Sequence, residues 1–361
     1  MVITVAKALS DAGCDVYLTV NSKISKIPWD KVITINSETE YYHVVERARD
    51  LFDWIVLIAP PLELIKLSRI AGRRLLGPPH YLVEAFSDKF TTYNALKKCG
   101  IKTPRSVLVD ELHIDRSCVN ELHSPYIVKP TLLAGSECVY FARSEDEALQ
   151  YARKAVKCDP SGRVLIQEYV SGIHGSISVI YGGCGYLLYS LNLQLIVLGE
   201  NKLRYIGGVL PIRNNAFRVK AENVLNKLYK CFPELRGYIG LDVVWSGDDM
   251  YVIEVNPRAT TSIIGIYEVF PRMGEFLIKS MSVQENICEH YFLGDLVSGY
   301  VYYLILDKII TTLTNEKSIG VEKSPRGILV GESMFKDAVI SRIAELVSMS
   351  KLAYNLSDVF L

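Results

Sequence analysis

The chain has 361 residues, 49% hydrophobic and 22% charged, which describes a globular protein of two or three domains rather than a disordered one. Lys+Arg and Asp+Glu both number 40, so the zero net charge favours neither a nucleic-acid nor an anionic-membrane partner. Apolar runs at 54–59 and 187–199 are too short or too polar to span a bilayer.

The chain opens with a helix pattern over 2–12 that contains Lys7 and Asp11, unlike a signal peptide, and Gly13 is its expected C-cap. Strands are predicted at 15–20 and 31–35, a helix over 38–52, a strand over 53–59 that Pro60 and Pro61 end, and a helix over 62–74. This β/α alternation implies a parallel sheet covered on both faces. Such a unit normally starts with a strand. Either the native start lies roughly ten to twenty residues upstream of Met1, or the sheet lacks its first strand. A further helix runs from Ser87, its expected N-cap, to Lys98, and Gly100 stops it. Strands follow at 126–130 and 139–141 around a small-residue loop, then a helix over 144–155 capped by Ser144 with Glu147 three residues on. The next strand covers 164–170, and the segments 177–181 and 186–193 read as antiparallel partners. Helix 217–231 and a hairpin of strands 237–245 and 250–255 come next, turning at 246–249. A mostly helical stretch over 273–280, strands at 299–306 and 327–330, and a helix over 335–349 complete the pattern. The eight cysteines, Cys14, Cys99, Cys118, Cys138, Cys158, Cys184, Cys231 and Cys288, stand singly without a C-x-x-C pair. That pattern predicts reduced, mostly structural thiols in a cytoplasmic protein, and the six histidines form no ligand cluster.

The chemistry concentrates in the hairpin. A period of two puts Glu254, Asn256 and Arg258 on one face of an extended segment, and the turn brings Asp242 back towards Glu254. Carboxylates and a carboxamide are hard oxygen ligands suited to Mg2+, and a guanidinium suits phosphate or an oxyanion. The competing reading is two ordinary strands with solvated acids. Lys129 ends an apolar strand and needs a partner, which a phosphate would supply, with Ala134, Gly135 and Ser136 closing over it; a plain hairpin also fits. Lys89 sits in the first turn of a helix, where a bound anion would offset an unfavourable cation; a solvated lysine also fits. Residues 167–170 suit an adenine hinge, in which a strand edge offers backbone groups to the purine and Gln167 is available to its amino group; a plain edge strand fits equally well.

Taken in order, Ser87–Lys89, Gly100–Pro104, Ile127–Pro130, Ala134–Ser136, Gln167–Val170, Leu241–Val243 and Glu254–Arg258 resemble the ATP-grasp superfamily over residues 1–275 at least. The resemblance implies an α/β architecture, α+β in its central part. It places a pre-ATP-grasp parallel-sheet domain at 1–86, a nucleotide-binding and catalytic region at 87–290 with a lid at about 105–172, and an α/β extension at 291–361. It also implies that Lys89 and Lys129 contact ATP phosphates, that Gln167, Glu168 and Val170 line the adenine site, and that Asp242, Glu254 and Asn256 hold Mg2+, with Mn2+ as a substitute. Arg258 would stabilise the transferred phosphoryl group or the tetrahedral intermediate. His174 stands where many members carry an acidic ribose ligand. A narrower set, Gln167–Gly172, Leu191–Gln194, Tyr205–Ile212 and Asn256–Ser262, with a tail over 325–349, looks like the archaeal-type group containing tyramine–L-glutamate ligase.

The expected reaction is ATP-dependent joining of a small-molecule carboxylate to an amine through an acyl phosphate, with a homodimer as a candidate assembly. The alternatives are a non-catalytic ATP sensor and an ATP-grasp phosphotransferase or carboxylase. Thr260, Thr261 and Ser262 are expected either to form a small polar pocket for an amino acid, glutamate first, or to cap the following helix. Tyr205, Tyr267 and Phe270 suggest room for an aryl amine.

Overall fold

The computed structural model describes residues 1–24, 27–282, 289–306, 312–319 and 327–347. Helix α1 (Val2–Asp11) precedes two short strands, β1 (Leu18–Asn21) and β2 (Val32–Ile35), which pair in parallel with Leu18 opposite Val32. Helices α2 (Glu38–Leu51) and α3 (Pro61–Ala71) follow. The strand expected over 53–59 does not form. Ile55 makes one parallel bridge to Leu75, and its flanks have no ladder. The segment is instead threaded into a small apolar core, where Ile55 and Leu57 meet Leu64, Leu67 and Val83. Pro60 and Pro61, which lack backbone N–H groups, close off any longer pairing.

An unforeseen helix, α4 (His80–Ser87), leads into α5 (Lys89–Lys98), and this corrects the cap assignment. Ser87 belongs to α4. Asp88 makes the break between the helices, and its carboxylate accepts from Thr91 N at 2.7 Å and from Arg163 Nη2 at 2.8 Å. Next come β3 (Ser106–Asp110), β4 (Tyr126–Pro130), β5 (Tyr140–Ala142), α6 (Glu145–Ala155) and β6 (Arg163–Glu168). Then follow β7 (Ile173–Gly182), β8 (Gly185–Gly199), β9 (Lys202–Leu210), α7 (Asn215–Cys231), β10 (Gly237–Ser246), β11 (Asp249–Asn256), α8 (Ile263–Val269) and α9 (Met273–Lys279). The last described elements are β12 (Tyr291–Phe292), α10 (Leu293–Leu296), β13 (Tyr300–Leu306), β14 (Glu316–Ile319), β15 (Gly327–Ser333) and α11 (Lys336–Leu346). Cys288 and both ends of the tail at 325–349 lie outside the described residues.

One sheet runs β11-β10-β7-β8-β9-β5-β4-β6-β3, and β13 extends it from β9 towards β15 and β14. The narrowest join is β9 to β5, a single antiparallel pair, Tyr140 opposite Lys202. Period-two alternation divides the faces of the sheet. Leu191, Leu193 and Leu195 of β8 pack with Phe217, Ala221 and Leu225 of α7. On the other face α1, α8 and α9 cover Ile180, Leu188 and Tyr238. Gly274 lets α9 lie directly on α1, since a Cβ there would sit 1.9 Å from Ala8 O. Among the described residues no helix is long and apolar enough to cross a membrane.

The expectation of reduced thiols is corrected at five positions. Cys99 is bonded to Cys231 and Cys138 to Cys158, with Cα separations of 6.0 and 6.5 Å, and Cys184 is also disulfide-bonded. Cys14 and Cys118 are free.

Candidate active site

The β10–β11 hairpin places Asp242 directly opposite Glu254, and Gly240 opposite Asn256. A register shift between Asp242 and Val243 marks a bulge, a device that re-aims side chains beside a site. The two carboxyls are hydrogen-bonded to each other. Burial and the neighbouring Glu254 push Asp242 well above the usual carboxylate range. Burial would raise Glu254 too, but Lys89 and Lys129 outweigh it and keep Glu254 anionic. Lys89 Nζ lies 3.6 Å from Glu254 and also donates to Leu133 O in the loop after β4. Asn256 Nδ2 donates to Glu254 Oε1 at 3.3 Å, so its carbonyl oxygen is the end available as a metal donor.

Lys129 is almost fully buried on β4, where a cation is costly. Burial pulls it down to about 8, against the opposing pull of Glu254. Its Nζ donates to Gln167 Oε1 at 2.9 Å, and Gln167 Nε2 donates to Ser106 Oγ at 2.9 Å. Gln167 thus holds Lys129 in place with one end of its amide while the other is anchored on Ser106, and it also lines the cleft. The hinge backbone is partly committed as well. Glu168 N donates to Arg105 O at 2.9 Å and Tyr169 N to Pro125 O at 2.8 Å, so Val170 is the first residue past the ladder. His174, on β7, stacks against Tyr169 with ring centroids 6.2 Å apart, and burial lowers it to about 4, leaving a neutral imidazole near pH 7.

One open cleft collects Lys89, Lys129, Ala134, Gly135, Ser136, Gln167, Glu168, Val170, His174, Asp242 and Glu254. The loop above it takes positive φ at Gly135 (71°), Ser136 (61°) and Cys138 (53°). Its base is held by Asp159, which accepts from Leu132 N at 2.8 Å, and its far end by the bond from Cys138 to Cys158. The structure adds Gln194 to the expected residues. It lines the cleft, and its Nε2 donates to Asp242 Oδ1 at 2.8 Å. The available signal was a run of polar residues, Ser190, Asn192 and Gln194, alternating with leucines on one strand.

Asn256 and Arg258 line a smaller cavity that shares Lys89 and Glu254 with the cleft. The strand ends at Asn256, so Arg258 lies past it, with Nη1 donating to Ala259 O at 3.0 Å. Burial lowers its pKa. A further cavity at Arg258 is lined by Val5, Leu64, Leu75, Leu76, Ile263 and Leu277, which makes it apolar rather than polar. The hydroxyls expected there turn inward. Thr260 and Ser262 bond each other at 2.9 Å and Tyr238 at 2.8 and 3.2 Å, and Ser262 makes no side-chain cap to α8. The three aromatics do not converge on one pocket. Tyr205 donates to Tyr303 at 2.9 Å, Tyr267 holds Asp11 at 2.7 Å, and Phe270 packs on Phe276.

Two facing carboxyls and a carboxamide fit Mg2+, which takes one or two carboxylates and completes its shell with phosphates and water. Among the described residues no group of three His, Cys, Asp or Glu converges that could hold a metal ion.

A family profile described as "ATP-grasp domain" matches residues 86–262. Tyramine–L-glutamate ligase of Methanocaldococcus fervens is 30% identical over 272 residues, covering 73% of this chain and 76% of that protein. The enzyme of the same name from Methanocaldococcus jannaschii is 29% identical over 262 residues, covering 71% and 72%. Among solved structures, the biotin carboxylase domain dimer of Hydrogenobacter thermophilus 2-oxoglutarate carboxylase, with MgADP and bicarbonate, superposes with a TM-score of 0.73 at 13% identity, over 97% of this chain and 87% of that one. The chain belongs to the ATP-grasp superfamily and is an ATP-dependent ligase that forms a C–N bond through an acyl phosphate.

Proposed function

We propose that the chain joins an amino acid, or an acid resembling one, to an amine, with glutamate and tyramine the first pair to test. The observation that carries the catalytic reading is the pairing of Asp242 with Glu254 beside Lys89 and Lys129 in one cleft. The similarity to tyramine–L-glutamate ligases supports the choice of substrates.

On this reading the cleft takes Mg-ATP. The loop at Ala134, Gly135 and Ser136 covers the phosphates, and Lys89 and Lys129 neutralise them. Glu168, Val170 and His174 border the nucleoside, and Gln167 acts through Lys129. Asp242, Glu254 and Asn256 would hold Mg2+, or Mn2+ in its place, which would supply charge to shield the phosphates from the incoming carboxylate. The substrate carboxylate attacks the γ-phosphorus and ADP leaves. The amine then attacks the acyl carbon, phosphate departs, and the amine proton passes to solvent or phosphate. Arg258 steadies the oxyanion of that second step. No protein nucleophile is required; the residues position the reactants and neutralise charge.

The division into 1–86, 87–290 with a lid near 105–172, and 291–361 accompanies this reading. So do a cytoplasmic location, where Mg-ATP is abundant, and a homodimer, by analogy with the dimeric carboxylase domain. The test is ADP release with glutamate and other amino acids, each paired with tyramine or a second amino acid, together with hydroxylamine capture of an acyl hydroxamate. Stimulation only by bicarbonate, a sugar or a nucleobase would overturn the substrate class. ATP binding without turnover under any pairing would favour a sensor.

A further inference from the structure

The segment Leu191–Gln194 stands out in the sequence, yet the reaction above gives it no part. Its last residue does touch the acidic pair. Gln194 sits on β8 opposite Gly208 of β9, and its side chain crosses to Asp242 on β10, where Nε2 meets Oδ1 at 2.8 Å. Strand β7 lies between β8 and β10, so the contact spans a whole strand.

The strand that carries Gln194 is fixed in turn. Asn192, two residues back on the same face, is fully buried and donates to Ser176 Oγ at 3.1 Å and Ser178 Oγ at 2.9 Å on β7. Ser190 donates to Asn192 Oδ1 at 2.7 Å. Ser176 stands opposite both Asn192 and Asp242 in its two ladders, so this network ties β8, β7 and β10 together just where the carboxylate projects. A neutral amide donor on one oxygen of a carboxylate holds the plane of that group and leaves the other oxygen directed elsewhere. Asp242 is at the same time hydrogen-bonded to Glu254.

We infer that Gln194 is a positioning residue for the divalent cation: it orients Asp242 so that a metal can share Asp242 with Glu254 and Asn256. This rests on the reading of those three as metal ligands. Outer partners of metal ligands, when removed, typically cost about 10- to 100-fold in metal affinity.

The test uses the full chain and does not depend on turnover. Mn2+ binding in the presence of ADP is followed by electron paramagnetic resonance for wild type, Gln194→Ala, Gln194→Leu and Asp242→Asn. Gln194→Leu keeps most of the bulk and removes the donor without adding charge. Both Gln194 variants should raise the half-saturating Mn2+ concentration about 10-fold or more. Adenosine binding, which general damage to the cleft would weaken, should stay within about twofold of wild type. Excess Mg2+ should restore turnover in Gln194→Ala, a rise in metal KM without an equal fall in kcat. Loss of Mn2+ binding in Asp242→Asn alone, with both Gln194 variants at wild-type half-saturation, would overturn this inference and leave the metal site standing. Unchanged Mn2+ binding in all three variants would overturn both.

Discussion

Lys129 couples proton concentration to nucleotide binding. Its pKa lies at about 8 in the folded chain against an ordinary 10.5. The free cleft therefore loses this charge as pH rises through 8, and the phosphates lose a counter-charge with it. The dissociation constant for ATP should rise by up to about tenfold per pH unit above 8. Lys129→Arg, whose guanidinium stays ionised, should flatten that rise. A flat wild-type profile over the same range would remove Lys129 from the phosphates. The effect on stability has its own sign. Between 8 and 10.5 the unfolded chain holds a proton that the folded one has released, so this residue makes stability increase with pH across that window. The acidic pair gives a second test. Asp242→Asn or Glu254→Gln should cut Mg-dependent turnover by at least about 100-fold, because each replaces a carboxylate ligand of the metal with a neutral amide. Circular dichroism should stay close to wild type, since no core volume is lost. Retained turnover in both variants would end the metal assignment. The residues legible in sequence were those whose charge clashed with an apolar strand, such as Lys129 and Glu254. The link from Gln167 to Lys129 and Ser106 was not legible because those partners come from β4 and β3, and spacing along one strand does not reveal them.

Elements whose pattern was local were read correctly. The β10–β11 hairpin has alternation and a turn with Gly247 at φ 54°, and α6 begins with Ser144 accepting from Glu147 N. Elements decided by distant contacts were not. The run at 53–59 looked like a strand because it is apolar, but helices and loops bury it, with a neighbouring strand-like contact only at Ile55. Strand β9 was missed as a strand because Gly207 and Gly208 break its pattern, although a Cβ at either would lie within 2.5 Å of other atoms. Disulfides are the extreme case: the partners lie 132 and 20 residues apart, and no local signal joins them. Thiol labelling of the native chain should therefore modify Cys14 and Cys118 and spare Cys99, Cys138, Cys158 and Cys231 until reductant is added. Labelling of Cys138 in the untreated protein would contradict the pairing. Replacing Cys138 and Cys158 together by serine should cost about 3 kcal/mol in unfolding free energy, by the loop-entropy relation. It should also weaken ATP binding more than adenosine binding, since the freed loop carries Gly135 and Ser136.

At the scale of the whole molecule, a ligand held by the cleft should act as a fastener between units. MgADP at a hundred times its Kd adds about 2.7 kcal/mol to stability, which should raise Tm by several degrees. Chelation of the metal should remove most of that gain in wild type and change little in Asp242→Asn. An equal shift with and without metal would show that the nucleotide binds without Mg2+. The sheet itself shows where such a fastener matters. Between β9 and β5 the ladder narrows to Tyr140 opposite Lys202, supported by Phe141 N donating to Asn201 O at 2.9 Å and Arg143 Nη1 donating to Asn201 Oδ1 at 2.8 Å. On one side the β3–β6 unit carries α6 and the covalently closed loop; on the other stand Asp242, Glu254 and the bulk of the core. A sheet bends most easily where it has the fewest rungs. A swing of the β3–β6 unit about Tyr140 would carry Lys129 and the phosphate loop together, and it would have to break the Arg163–Asp88 ion pair and the bond from Lys89 N to Thr131 O, which also tie this unit to α5 across the cleft.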